Sequence, residues 1–99
     1  MLPEKIKILG LDYKVEKVTY ISRDGFLIGE IDHEQQIIKI VEAITDERAT
    51  ITLIHEMIHG ILASLGHNAE HENETLIQGL STSLYQCFKD NPQLLALFR

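Results

Sequence analysis

Apolar and charged residues alternate over Lys5 to Leu9 and again over Tyr13 to Val18, the period-2 pattern of half-buried strands. Gly10-Leu11-Asp12 between them reads as a tight connection, which predicts a first hairpin. Ser22-Arg23-Asp24-Gly25 is a turn cluster, followed by a short strand over Phe26 to Ile31. Gly29 inside that strand marks a bulge or a close backbone approach. Asp32 to Gln35 is the next turn, and Gln36 to Val41, rich in isoleucine, is a further strand. The period then changes. Ile51, Leu53, Ile54, Met57, Ile58, Ile61, Leu62 and Leu65 make one segment apolar around most of its circumference, as in a buried helix. Thr45 is its N-cap, Asp46 and Glu47 sit at the positive end of its dipole, and Gly66 is its stop. His67 to His71 is polar and reads as a connection. A second helix is expected from about Glu72 to Lys89, with Ile77, Leu80, Leu84, Cys87 and Phe88 as its apolar stripe and Cys87 as core. Asn91-Pro92 opens a short terminal helix through Phe98. The pattern therefore predicts an α+β fold. A three- or four-stranded, mostly antiparallel sheet precedes a long helix, a second antiparallel helix and a short C-terminal one.

Composition narrows this further. Ninety-nine residues with 44% hydrophobic and 24% charged side chains fit one globular domain, residues 1–99, with a single modest core. The one cysteine, Cys87, excludes an intrachain disulfide and a cysteine-based zinc site, and it fits a reducing cytoplasm. Met1 to Ile8 alternates charge with apolar residues and so has no signal-peptide core. No apolar run approaches the ~20 residues that cross a bilayer. A net charge of −6 argues against a nucleic-acid partner. Nothing in the sequence fixes an oligomeric state.

The chemistry lies in the long helix. His55-Glu56-Met57-Ile58-His59 is an H-E-x-x-H sequence, and residues four apart share a helix face, so both imidazoles can reach one metal ion. Two neutral nitrogen ligands suit Zn²⁺, and a catalytic site needs a third protein ligand and an open position. Glu56, beside that face, is placed to take a proton from water made acidic by the metal. The competing reading, two partly exposed histidines bonded to backbone or solvent, must explain why such polar groups sit on so apolar a helix.

Candidates for the third ligand are His67, Glu70, His71, Glu72 and Glu74. A metzincin spacing would require histidine where Leu65 stands, and His67 is two residues too late. If the helices flanking Gly66 form an antiparallel hairpin, His59 lies level with Glu74 and His55 with Gln78. Glu74 also lies one turn before Ile77, at the edge of the apolar stripe, whereas Glu72 points almost oppositely. Glu74 is the preferred ligand, with Glu70, Glu72 and His71 as alternatives. Gln78 or an aspartate could hold the free N–H of His55. His33 falls in a turn and is expected at the surface. His71, Tyr13, Tyr20 and Tyr85 are the donors that could stabilise an oxyanion, with none preferred, and Tyr85, eleven residues beyond Glu74 and so about 16 Å along the helix, is expected to serve the core instead.

Thr52-Leu53-Ile54-His55-Glu56-Met57-Ile58-His59, an acid-led helix ending Leu84-Tyr85-Gln86, and a closing Asp90-Asn91-Pro92 resemble small phage and prophage metallopeptidase-like proteins of the ImmA/IrrE group. The resemblance spans roughly residues 29–92. It implies a minimal gluzincin-type peptidase in which His55, His59 and Glu74 hold zinc and Glu56 is the general base. Members commonly carry an acid and an alanine later on the second helix, where this chain has Gln78 and Ser81. Two functions are carried forward. One is a zinc-dependent endopeptidase acting on a protein or peptide. The other is a zinc-stabilised binding or adaptor protein with little proteolytic activity.

Overall fold

The computed structural model describes residues 2–23 and 25–99. Four strands, β1 (Lys5–Ile8), β2 (Leu11–Val18), β3 (Gly29–Asp32) and β4 (Ile37–Val41), form one sheet in the order β1-β2-β4-β3. The helices α1 (Asp46–Ser64), α2 (Asn68–His71), α3 (Glu74–Asp90) and α4 (Pro92–Leu95) follow, and a 3₁₀ turn (Ala96–Phe98) comes last. The fold is α+β. β1 and β2 pair antiparallel, as do β3 and β4, but β2 and β4 run parallel at the centre of the sheet. The sheet is thus mostly antiparallel, as expected, with one parallel pairing that the sequence did not disclose, because alternation reports which face is buried and carries nothing about strand direction. β4 takes the inner position because it is the most apolar strand, with Ile38 and Ile40 almost wholly buried.

Boundaries shift for local reasons. The first hairpin turns on Leu9-Gly10, with φ of +48° and +85°, instead of Gly10-Leu11-Asp12. A two-residue loop with both central φ positive matches the twist of the flanking strands. The third strand starts at Gly29, and Phe26 to Ile28 lies outside it although the Ile28 carbonyl still accepts from Val41 N–H at 2.9 Å. Before β4, Asp32 Oδ1 accepts from the backbone of Glu34 and Gln35 at 3.0 and 2.9 Å, closing the turn the sequence indicated.

α1 is the axis of the molecule. Thr45 Oγ1 accepts from Arg48 N–H at 3.2 Å, as an N-cap should. At the other end Gly66 N–H donates to Ala63 and His67 N–H to Leu62, the paired bonds of a Schellman stop, with Gly66 at φ +78°. Ala49 and Leu53 join Ile8, Tyr13, Ile38 and Ile40 in the core beneath the sheet. Gly60 lets the helix settle close to the sheet, since a Cβ there would lie 2.8 Å from Ile8 Cδ1 and 3.1 Å from Ile31 Cδ1.

The stretch expected to connect the helices forms a single helical turn, α2, and the second long helix begins at Glu74 behind an Asn73 cap. Its contact face runs through Ile77 and Ser81, both fully buried, so Cys87 and Leu80 are rotated out of it. Cys87 is exposed, against the expectation of a core position. The small Ser81 side chain takes the centre of the face, its hydroxyl satisfied by donating to the Gln78 carbonyl at 3.0 Å. A polar residue at that point was not readable as buried. Among the described residues no helix is long and apolar enough to cross a membrane.

Candidate metal centre

Three side chains expected to act together do meet. His55 and His59 lie on one face of α1, and α3 runs beside them so that Glu74 stands opposite. His55 Nε2 is 3.0 Å from Glu74 Oε2, His59 Nε2 is 2.7 Å from Glu74 Oε1, and the two Nε2 atoms are 3.2 Å apart. All three ligand atoms fall within 4.8 Å of one another. Two nitrogens bound to one tetrahedral zinc would be separated by about 3.3 Å, close to the imidazole spacing found. The other ring nitrogens are committed elsewhere. His55 Nδ1 lies 2.9 Å from Gln78 Oε1, and His59 Nδ1 lies 2.9 Å from His71 Nδ1. Ligand nitrogens converging while their ring partners are held from behind is the arrangement a divalent cation requires, so the residues fit such an ion.

The alternatives sort themselves by position. Glu70 pairs with His67 at 3.6 Å, and Glu72 caps the end of α2. His71 reaches the back of His59 and is not in the ligand set. His33 is exposed, and its ring meets the His71 ring edge-on at 5.6 Å. Burial, then the neighbouring His71, lowers the His33 pKa.

Glu56 points to the side of the ligand face and is 6% exposed. Burial, reinforced by the charges of Glu74 and Glu30, pushes its carboxyl up to about 7. The close approach that buries it comes from β3. A Cβ at Gly29 would collide with Thr52 Cγ2 and lie 2.9 Å from Glu56 Oε2. Of the two roles the sequence left open for Gly29, a bulge or a close backbone approach, the second is found. His59 is shifted downward by burial, which outweighs the attraction of Glu74 and keeps the imidazole in the neutral form a metal takes.

A cleft of ≈ 460 Å³ opens over these groups. Glu56, His55, His59, Glu74 and Gln78 form one wall; Phe26, Leu27, Ile28 and Ile51 supply apolar surface, and Arg48 adds a cation. The sequence reading missed Arg48 and the 26–28 segment. Arg48 is seven residues before His55, two helical turns, so the 3.6 period could have placed it on that side. The 26–28 segment had no such signal, because its apolar run was taken for strand. None of the three tyrosines lines this cleft. Tyr13 is walled into the core, Tyr20 is exposed, and Tyr85 packs beneath Lys89.

Comparison with protein-family models, with curated proteins and with solved structures finds no match for this chain.

Proposed function

We propose that this protein is a zinc-dependent endopeptidase whose ion would be held by His55, His59 and Glu74. The observation that carries the reading is a buried, proton-hungry Glu56 in the same cleft as three convergent ligand groups. A metal held by these three residues would supply Lewis acidity, which acts on a peptide carbonyl and on water. Glu56 would supply the base, its buried carboxylate standing beside the ligand face where it can accept a proton from water and return it to the leaving amine. Gln78 orients the His55 ring by accepting its Nδ1–H.

A substrate track is available along β3. Ile28 gives its carbonyl to Val41, and in an antiparallel ladder such pairs alternate, so Glu30 and Asp32 also spend their groups on β4. Gly29 and Ile31 are left with N–H and C=O groups toward the open edge. An extended peptide paired there would run beside Glu56. The ImmA/IrrE resemblance and action in the cytoplasm on a protein substrate belong to the same proposal.

One observation favours the second reading, a zinc-holding binding protein: the cleft has no tyrosine to donate to an oxyanion. Glu56→Gln separates the two. With zinc supplied, an endopeptidase cleaves a quenched fluorescent peptide mixture, and the variant loses that activity by about 10²–10⁴-fold while binding zinc as before. Equal turnover in both proteins, or none in either, contradicts the enzymatic reading.

A further inference from the structure

One histidine beside the candidate centre is left without a role by the metal reading. His71 closes α2 and is half-buried. Its ring meets His59 at 4.8 Å and 89°, and on its other side it meets His33, from the β3–β4 turn, at 5.6 Å and 69°. Its Nδ1 is 2.9 Å from Nδ1 of His59. The side chain is thus held between α1 and a turn of the sheet while giving no atom to the ligand set.

Two imidazole nitrogens at that separation share one proton, donated by one ring and accepted by the other. Which ring donates decides what Nε2 of His59 can do, because a neutral imidazole carries a single N–H. If His71 donates, His59 carries its hydrogen on Nε2, facing Glu74 Oε1 at 2.7 Å, and has no lone pair there for a cation. If His59 donates, its Nε2 lone pair is free, and His71 carries its own hydrogen on Nε2. Both rings are neutral in both arrangements, so the exchange moves hydrogens and leaves the proton count unchanged. Gln78 behind His55 presents its amide oxygen there while its amide NH₂ donates to Thr82 Oγ1 at 3.3 Å, so it accepts the His55 Nδ1–H.

We propose that His71 is the positioning residue of the centre: it accepts the Nδ1–H of His59, fixes that ring's tautomer and rotation, and so presents Nε2 to a divalent cation. The inference rests on the metal centre proposed above, and its failure can be told apart from failure of that centre.

The test measures zinc affinity by competition with a chromophoric chelator in the wild type, His71→Ala and His71→Gln. Nitrogen-15 spectra of the imidazoles in the zinc-loaded wild type and the visible absorption of the cobalt-loaded proteins complete it. The proposal expects the His59 hydrogen on Nδ1 and the His71 hydrogen on Nε2. It expects a 10–100-fold weaker zinc affinity in His71→Ala, and an unchanged cobalt coordination number. His71→Gln, whose amide oxygen can accept the same hydrogen, should recover part of the affinity, which a purely structural role for the ring would not produce. It also serves if the alanine variant does not fold. Full affinity in His71→Ala, the His71 hydrogen found on Nδ1, or a ligand lost from the cobalt spectrum overturns the role given to His71 alone. A wild type that takes up no stoichiometric metal overturns the centre and this inference together.

Discussion

Glu56 is a carboxyl group kept almost dry by the approach of Gly29 and Thr52, and its proton affinity reports that environment. In the metal-free protein its folded value, about 7, lies above its ordinary value of 4.5. The folded state then binds the proton more tightly than the unfolded state does. That contribution is fully present below about pH 4.5 and is lost as the pH rises through 7. The difference corresponds to roughly 3 kcal/mol at most. His59, shifted the other way, contributes stability at high pH that falls away as the pH drops below its ordinary value of 6.5. Subtracting Glu56→Gln from the wild type isolates the glutamate. Chelator-treated protein should show the wild type losing stability relative to the variant between pH 4.5 and 7 in denaturant titrations. A flat difference would mean that Glu56 is solvated.

At the scale of elements, the site is made by two junctions: α1 against β3, and α1 against α3. The first depends on Gly29, because Thr52, whose hydroxyl donates to the Arg48 carbonyl at 2.6 Å, can swing its methyl away from an added Cβ only by giving up that bond. Gly29→Ala should therefore cost about 1–3 kcal/mol in denaturant unfolding and push β3 away from Glu56. An unchanged midpoint would show that the strand has room. The second junction was readable beforehand. Symmetry about Gly66 put His59 level with Glu74 and His55 with Gln78, and both pairs of residues do meet across α1 and α3. That reasoning survives the helical turn at α2 because the turn folds locally, without changing which residues of α1 and α3 face each other. Other features had no local signature. The parallel pairing of β2 with β4 depends on a crossover that alternation does not encode. Burial of Ser81 in place of Cys87 depends on how closely the helices approach. The link from His71 to His59 needs the curl of α2, which propensity alone does not predict in so polar a stretch.

For the molecule as a whole, an ion between α1 and α3 would act as a staple. The core of this 99-residue chain is centred on Ile8, Tyr13, Ile38, Ile40 and Leu53, between the sheet and α1, whereas α3 buries Ile77 and Ser81 outside that cluster, where it packs on α1. A cation bound only by the folded state adds stability that grows with the logarithm of its free concentration over the dissociation constant. At a free zinc concentration a thousandfold above the dissociation constant the gain is about 4 kcal/mol. In a domain of this size that raises the melting temperature by more than about 10 °C. Excess chelator should reverse the rise, and His55→Ala should show none of it. A melting temperature indifferent to zinc and to chelator would leave α1 and α3 joined by packing alone.

The central claim, that one cation sits between imidazoles of α1 and a carboxylate of α3, is tested most directly by zinc titration of the purified chain beside its Glu74→Ala variant. The account predicts one equivalent bound by the wild type and a large loss of affinity in the variant, with both proteins folded. Failure of the wild type to bind a single equivalent, or undiminished binding after Glu74→Ala, would contradict it.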